Sequence, residues 1–283
     1  MGQKSSWWQP LVLGLLMGWL YYSIVSNLVL QWWQDPNFSH GFFVPAFSVF
    51  LLWQERDHLA SLPANPSWWG LPIIVGSLSV AVVGVLGAEL FLSRISLILL
   101  CAGLVIFFLG WRHFRAVLFP WAFLFLMVPV PAIIFNQITF PLQLLASKVA
   151  SVLLPLARVP VLREGNVINL PAMPLEVAEA CSGIRSLMSL ATLAIIYGAL
   201  MEPRKIIRAT LALASIPIAV AANSLRIVGT GLLVQYWDPD KAEGFFHAFS
   251  GWLIFVVSLL MLFLLHRILM RFLRRGETGG AGA

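Results

Sequence analysis

The sequence predicts an all-α polytopic membrane protein of about eight transmembrane helices, with an external surface helix and a small β-hairpin ahead of the sixth span. Three observations carry this. Of 283 residues 60% are hydrophobic and only 11% charged, far from the balance of a soluble domain. Long uncharged runs recur along the whole chain, leaving no stretch for a separate soluble core. The Lys and Arg residues behind the net charge of +6 fall mainly in the short stretches between those runs, which suits anionic lipid headgroups and argues against a nucleic-acid partner. The chain therefore reads as a single membrane domain over 1–283, with a helical core over 10–269, an external connection over 135–183 and a basic cytoplasmic tail over 270–283.

A helix crosses the hydrocarbon layer with about 20 apolar residues, fewer when Trp or Arg at its ends reach the interface. Runs that qualify lie near 10–30, 40–53, 70–87, 92–109, 115–134, 184–201, 209–233 and 248–269. The first is too long for a removable signal peptide and has no small-residue cleavage site behind it. The second is short and carries Pro45, and the seventh holds Pro217 and Arg226, which must face protein or water. With the N-terminus inside, eleven of eighteen basic residues become cytoplasmic: Lys4, Arg56, Arg112, Arg115, Arg204, Lys205, Arg208, Arg267, Arg271, Arg274 and Arg275. Trp pairs at 7 and 8, 32 and 33, and 68 and 69 fall at span ends, as aromatic belts do.

The long connection 135–183 is external in this topology. Its first half has helical periodicity interrupted by Gln137, Gln143, Ser147, Lys148 and Ser151, and reads as a helix lying on the surface, or as a re-entrant element. Its second half alternates apolar and polar residues around Gly165-Asn166, the pattern of a hairpin, and delivers Cys181 to the start of the sixth span.

Cys181 lies in EACSGIRSL, where a polar loop enters a helix; orphan N–H groups and the positive dipole end there favour the thiolate, the attacking form of cysteine. Arg185 adds positive potential one turn on. The plain alternative is a small packing residue at the interface. Cys101, the second cysteine, sits mid-span, so a bridge between them is not expected. Arg226, in AANSLRIVGTGLL, is an ionisable residue within a span, which by default marks a functional site. Asn223, one turn earlier, is placed to orient it. Snorkelling, or pairing with an acid such as Glu176 or Glu179, is the structural alternative. His247, in EGFFHAFSGW, opens the last span, and imidazole exchanges protons near neutral pH, although a lone His at a helix end is often only a cap.

Together these residues say more than they do singly. Charge bias alone places a Cys, an Arg and a His at the external ends of three consecutive spans, a complete set for acyl transfer: nucleophile, oxyanion stabiliser and acid or base. Ser182 is a weaker nucleophile than its neighbour, but the backbone N–H groups of Ser182 and Gly183 are available to an oxyanion. HxxxH and CxxC spacings are absent, as are a Walker loop and a GxGxxG stretch, so no metal, cofactor or nucleotide chemistry is expected.

The stretches EACSGIRSL, NSLRIVG and FFHAFSGW occur in the order seen in exosortases, and FSHGFFVPAFSVFLLW, MVPVPAIIFNQITFPLQLLAS and LREGNVINLP extend the likeness over most of the chain from residue 38 to about 256. On these motifs the chain resembles the exosortase family. The resemblance implies a polytopic, transpeptidase-like cysteine protease of exopolysaccharide-producing bacteria, in the inner membrane and facing the periplasm. It implies Cys181 as nucleophile, with Arg226 and His247 as the other two catalytic residues. The substrate it implies is a secreted protein ending in a PEP-CTERM sorting signal: a Pro-Glu-Pro motif, a membrane span and a basic end. The acceptor is left open between water, an amine, a lipid and a polysaccharide. His40, in FSHGF, also matches the family, for substrate contact or for structure. The alternatives are a transporter or flippase for an exopolysaccharide lipid intermediate, which would place polar groups near the midplane of several helices, and a non-catalytic scaffold.

Overall fold

The computed structural model describes residues 8–176, 183–236 and 245–279, with side chains over 11–176, 187–236 and 251–273. The chain forms two compact units, Met1–Pro131 and Ala132–Ala283. Among the described residues five helices are long and apolar enough to cross a membrane: Leu11–Gln34, Leu90–Phe108, Ala132–Leu156, Lys205–Tyr236 and Gly251–Leu273. Shorter apolar helices cover Gly70–Leu86, Leu118–Met127 and Leu187–Met201, so helix length alone does not support the full count of eight spans. Trp19, Trp33, Leu86, Leu156 and Ile206 are each about four-fifths exposed, an apolar exterior that only lipid can solvate. The chain is a multi-pass membrane protein.

In the first unit α1 (Trp8–Gln34) leads into a 3-10 segment, Pro36–Phe42, started by Asp35, whose side chain accepts from the Asn37 N–H at 2.9 Å, with Pro36 in the first turn. There follow α2 (Phe43–Gln54), α3 (Arg56–Ser61), α4 (Gly70–Leu86) and α5 (Leu90–Phe108). Glu89 caps α5 by accepting from the Leu92 N–H at 3.1 Å. Helices α4 and α5 pack closely through small residues, with Gly70 against Phe107, Gly84 against Ser93 and Gly103 against Ile74. The Tyr21 hydroxyl of α1 meets Ser96 of α5 at 3.0 Å, so a buried polar pair ties these helices where water is absent. The run 115–134, expected as one span, is instead divided among α6 (Trp111–Ala116), α7 (Leu118–Phe123) and a 3-10 turn, Leu124–Met127. Pro129 and Pro131 follow that turn; proline lacks an N–H and bars the preceding residue from helical geometry, which ends the run.

Among the described residues the second unit holds α8 (Ala132–Leu156), a small sheet, and the helices α9 (Gly183–Met201), α10 (Lys205–Tyr236) and α11 (Phe245–Gly279). The expected hairpin is present as β1 (Leu162–Glu164) and β2 (Val167–Asn169), and β3 (Pro174–Glu176) adds a third antiparallel strand in the order β1-β2-β3. Gly165 takes φ 64 at the first turn position, which a two-residue hairpin requires and a side chain resists. Ile168 and Leu175 pair across the strands and bury against Ala146, Ala150 and Leu154 of α8 and Ile227 and Val234 of α10. The segment expected on the surface is thus a 25-residue helix packed along α10 and long enough to span. Its polar residues explain the difference. Ser147 and Thr139 are buried, and Ser147 donates to the Gly165 carbonyl at 3.0 Å.

Helices α9, α10 and α11 share a core of Leu190, Ala194, Leu211, Ile218, Ala219 and Leu262. Where α9 turns into α10, the Tyr197 hydroxyl meets His266 Nδ1 at 2.7 Å, and His266 Nε2 meets Glu202 Oε2 at 3.3 Å. The Arg204 N–H donates to Glu202 Oε1 at 3.1 Å. Burial alone would raise the Glu202 pKa, but the Arg204 N–H, the His266 imidazole and the Arg204 charge hold it below the usual carboxylate value.

Candidate active site

Cys181, Ser182 and Glu179 lie outside the described residues. Helix α9 begins at Gly183, so Cys181 stands two residues before its first helical residue, the place where the first-turn N–H groups have no partner within the helix. Arg185 is in that first turn.

The heights of these residues along the bundle follow from packed neighbours. Leu187 of α9 and Ala219, Val220 and Asn223 of α10 line one pocket, while at the other end Gly198 lies against Arg208. The two helices are therefore antiparallel. One turn back from Leu187 is Gly183, and one turn on from Asn223 is Arg226, which puts the start of α9 level with Arg226.

Arg226 is 5% exposed, deep in the packing of α10, and it faces α11: a side chain built on Gly251 would begin 3.8 Å from both its Nη atoms. Gly251 is one turn after His247, and positions four apart share a helix face. The face of α11 against which the guanidinium lies is thus the face on which His247 occurs in the sequence. A charge this deep is costly unless polar groups hold it.

Asn223 is also buried, at 6% exposure, and lines the pocket named above with Thr139, Leu142 and Gln143 of α8. Sequence reasoning missed Gln143, because a polar residue facing a pocket and one facing headgroups leave the same mark in a periodic pattern. What would have separated them is the neighbouring Thr139 and Ser147, which fall with Gln143 at spacings of four residues.

His40 belongs to the first unit. Its Nε2 meets the Leu126 carbonyl at 3.2 Å, and its Nδ1 is buried without a hydrogen-bond partner. Burial pushes its pKa below the ordinary value, with the Leu126 carbonyl opposing. Beside it the Trp32 indole donates to the Met127 carbonyl at 2.9 Å and covers Gly41 so closely that a side chain at residue 41 would collide with the ring. The FSHGF stretch thus pins the end of α1 to the Leu124–Met127 turn, a structural use for its His and Gly. Cys101, in the middle of α5, is a free thiol.

No curated protein and no solved structure matches the chain. The sequence profile of the transmembrane exosortases matches residues 32–264. That match takes in Arg226, the start of α9 and the start of α11, as well as the Trp32–Gly41 clamp of the first unit. By this match over most of its length, the chain belongs to the transmembrane exosortase family.

Proposed function

We propose that this membrane transpeptidase cleaves the C-terminal Pro-Glu-Pro sorting signal of secreted proteins with Cys181 as nucleophile, Arg226 as oxyanion stabiliser and His247 as acid and base. The observation that carries the reading is the convergence at one end of the bundle. The guanidinium of Arg226 lies against Gly251, one turn from His247, and level with the start of the helix that Cys181 precedes.

In the first step the Cys181 thiolate attacks the carbonyl carbon of a peptide bond near the signal. The tetrahedral oxyanion is held by Arg226 and by the N–H groups of Ser182 and Gly183, donors of a kind worth roughly 2.7 to 4 kcal/mol each. Collapse breaks the C–N bond; His247 gives a proton to the leaving amine, which departs with the hydrophobic tail, and a thioester remains. His247, now neutral, takes a proton from the incoming acceptor, whose oxygen or nitrogen attacks the thioester and restores the thiolate. Arg185 adds to the positive field that favours the thiolate, and Glu179 is the supporting acid for Arg226. The site faces the periplasm from the bacterial inner membrane, where membrane lipids surround the enzyme and a lipid or polysaccharide is a fitting acceptor.

A second role for Arg226, binding the glutamate of the signal, is favoured by its burial among apolar groups, where an ion pair is strong. The two roles differ in kinetics: loss of the oxyanion role lowers kcat, and loss of the binding role raises KM. Replacing Cys181 by Ala or Ser, Arg226 by Ala and His247 by Ala, one at a time, and following precursor processing in membranes tests the assignment. Processing at the wild-type rate with Cys181→Ala ends it. Mass spectrometry of the new C-terminus then identifies the acceptor.

A further inference from the structure

We infer that Gln143 and Asn223 form a carboxamide clamp for a main-chain amide of the peptide substrate, one or two residues to the C-terminal side of the cleaved bond; the inference rests on the transpeptidase reading above. The pocket they line with Thr139 is narrow, a cavity of about 20 Å³. That is room for one water molecule or one peptide carbonyl, and not for a side chain.

Two buried polar residues stand in its wall, Thr139 at 5% and Asn223 at 6% exposure, beside the half-buried Gln143. Polar groups set this deep in apolar packing are costly unless something bonds them, and these carboxamides face a gap that a ligand amide can enter. The Thr139 hydroxyl already donates to the Asn136 carbonyl at 3.2 Å, which leaves its oxygen as an acceptor. A carboxamide presents N–H donors and a C=O acceptor, the same pair that a peptide amide presents in reverse. The described residues of its wall include no cation. The remaining wall is Leu142, Leu187, Ala219 and Val220, which excludes further water and strengthens the bonds made inside.

Position sets the register. Asn223 and Leu187 each lie one helical turn deeper than Arg226 and Gly183. One turn is about 5.4 Å, and an extended peptide advances about 3.3 Å per residue. A substrate whose hydrophobic tail runs into the membrane therefore brings an amide one or two residues past the cleaved bond to this depth.

The test is steady-state cleavage, by the full chain reconstituted in lipid vesicles, of a peptide comprising the sorting signal and its span. Gln143→Ala and Asn223→Ala should each lower kcat/KM about threefold to tenfold, mostly through KM, and the double variant should lose less than the product of the two. Replacing the amide one or two residues past the cleaved bond by an ester should slow the wild type by a similar factor and leave the double variant unaffected. Should Asn223→Ala fail to fold, Gln143→Ala with the amide and ester peptides carries the test alone. Wild-type KM in the Gln143 variant, or an equal ester penalty in wild type and variant, overturns the clamp. Retained cleavage by Cys181→Ala would instead overturn the reading beneath it, and is scored separately.

Discussion

The two ends of the α9–α10–α11 bundle bury polar groups to opposite effect. At the end where α9 turns into α10, Tyr197, His266, Glu202 and the Arg204 N–H are hydrogen-bonded one to the next. At the other end Arg226 and Asn223 are just as buried; Asn223 lines a pocket with Gln143, and Arg226 lies against Gly251 near the start of α11. A network whose members satisfy one another holds helices in register and has nothing left to offer a ligand. The carboxamides of Asn223 and Gln143, set around a pocket, have hydrogen-bonding capacity to give. On this contrast we read the first end as structural and propose the second as the chemical one.

Substitutions at the pocket end should have the larger effects on activity. Cys181→Ala should reduce precursor processing to the level seen without enzyme, measured by gel shift in membranes, while the protein still accumulates. Arg226→Ala should cost about 10²- to 10³-fold in kcat if it holds the oxyanion, and rapid-quench measurement of the cleavage step distinguishes that from a change in binding. Gly251 sharpens the contrast within one contact. A Cβ there stands 3.8 Å from the guanidinium, an ordinary van der Waals distance, so Gly251→Ala should keep near-wild-type activity. Gly251→Leu must displace the guanidinium, and a misplacement of about 1 Å costs up to about 10²-fold. Equal activity in the Ala and Leu variants would break the assignment of Arg226 to that face.

The closed end should respond in stability and hardly at all in turnover. Glu202→Gln should lower the unfolding free energy by about 1 to 3 kcal/mol near neutral pH, read by thermal unfolding in detergent, with kcat of the folded fraction unchanged. The sign with pH follows from the depressed pKa of Glu202. A carboxylate held below its ordinary value contributes stability that is fully present above the unfolded pKa, about 4.3, and is lost as pH falls through the lower folded value. The difference between wild type and Glu202→Gln should therefore be constant above about pH 5 and shrink in acid. A difference that grew as the pH fell would contradict the network.

Legibility from sequence followed local chemistry. The runs near 10–30 and 92–109 contain no proline beyond Pro10 at the very start of the first, and helices of nearly those bounds form, Leu11–Gln34 and Leu90–Phe108. The run 115–134 is as apolar, but Pro120, Pro129 and Pro131 break it, and its parts end where their N–H groups run out. Gly165-Asn166 announced its turn; β3 did not announce itself, because three residues held by pairing to β2 have no signature of their own. His40 was legible as special and illegible in role, since only the Leu126 carbonyl 3.2 Å away shows that its ring is used to hold two segments together.

Composition and the order of charged and apolar residues by themselves determined the membrane class, the helical runs and the three residue types suited to acyl transfer, because transfer into lipid is a property of each segment taken alone. Tertiary structure decided what each buried polar residue faces. Gln143 looks like a headgroup contact until α8 packs on α10 and turns it toward Asn223, and Arg226 looks like a snorkelling charge until α11 brings Gly251 against it. A hydropathy pattern measures the cost of burying a group, whereas the partner that offsets that cost lies on another helix, at a separation the pattern does not encode.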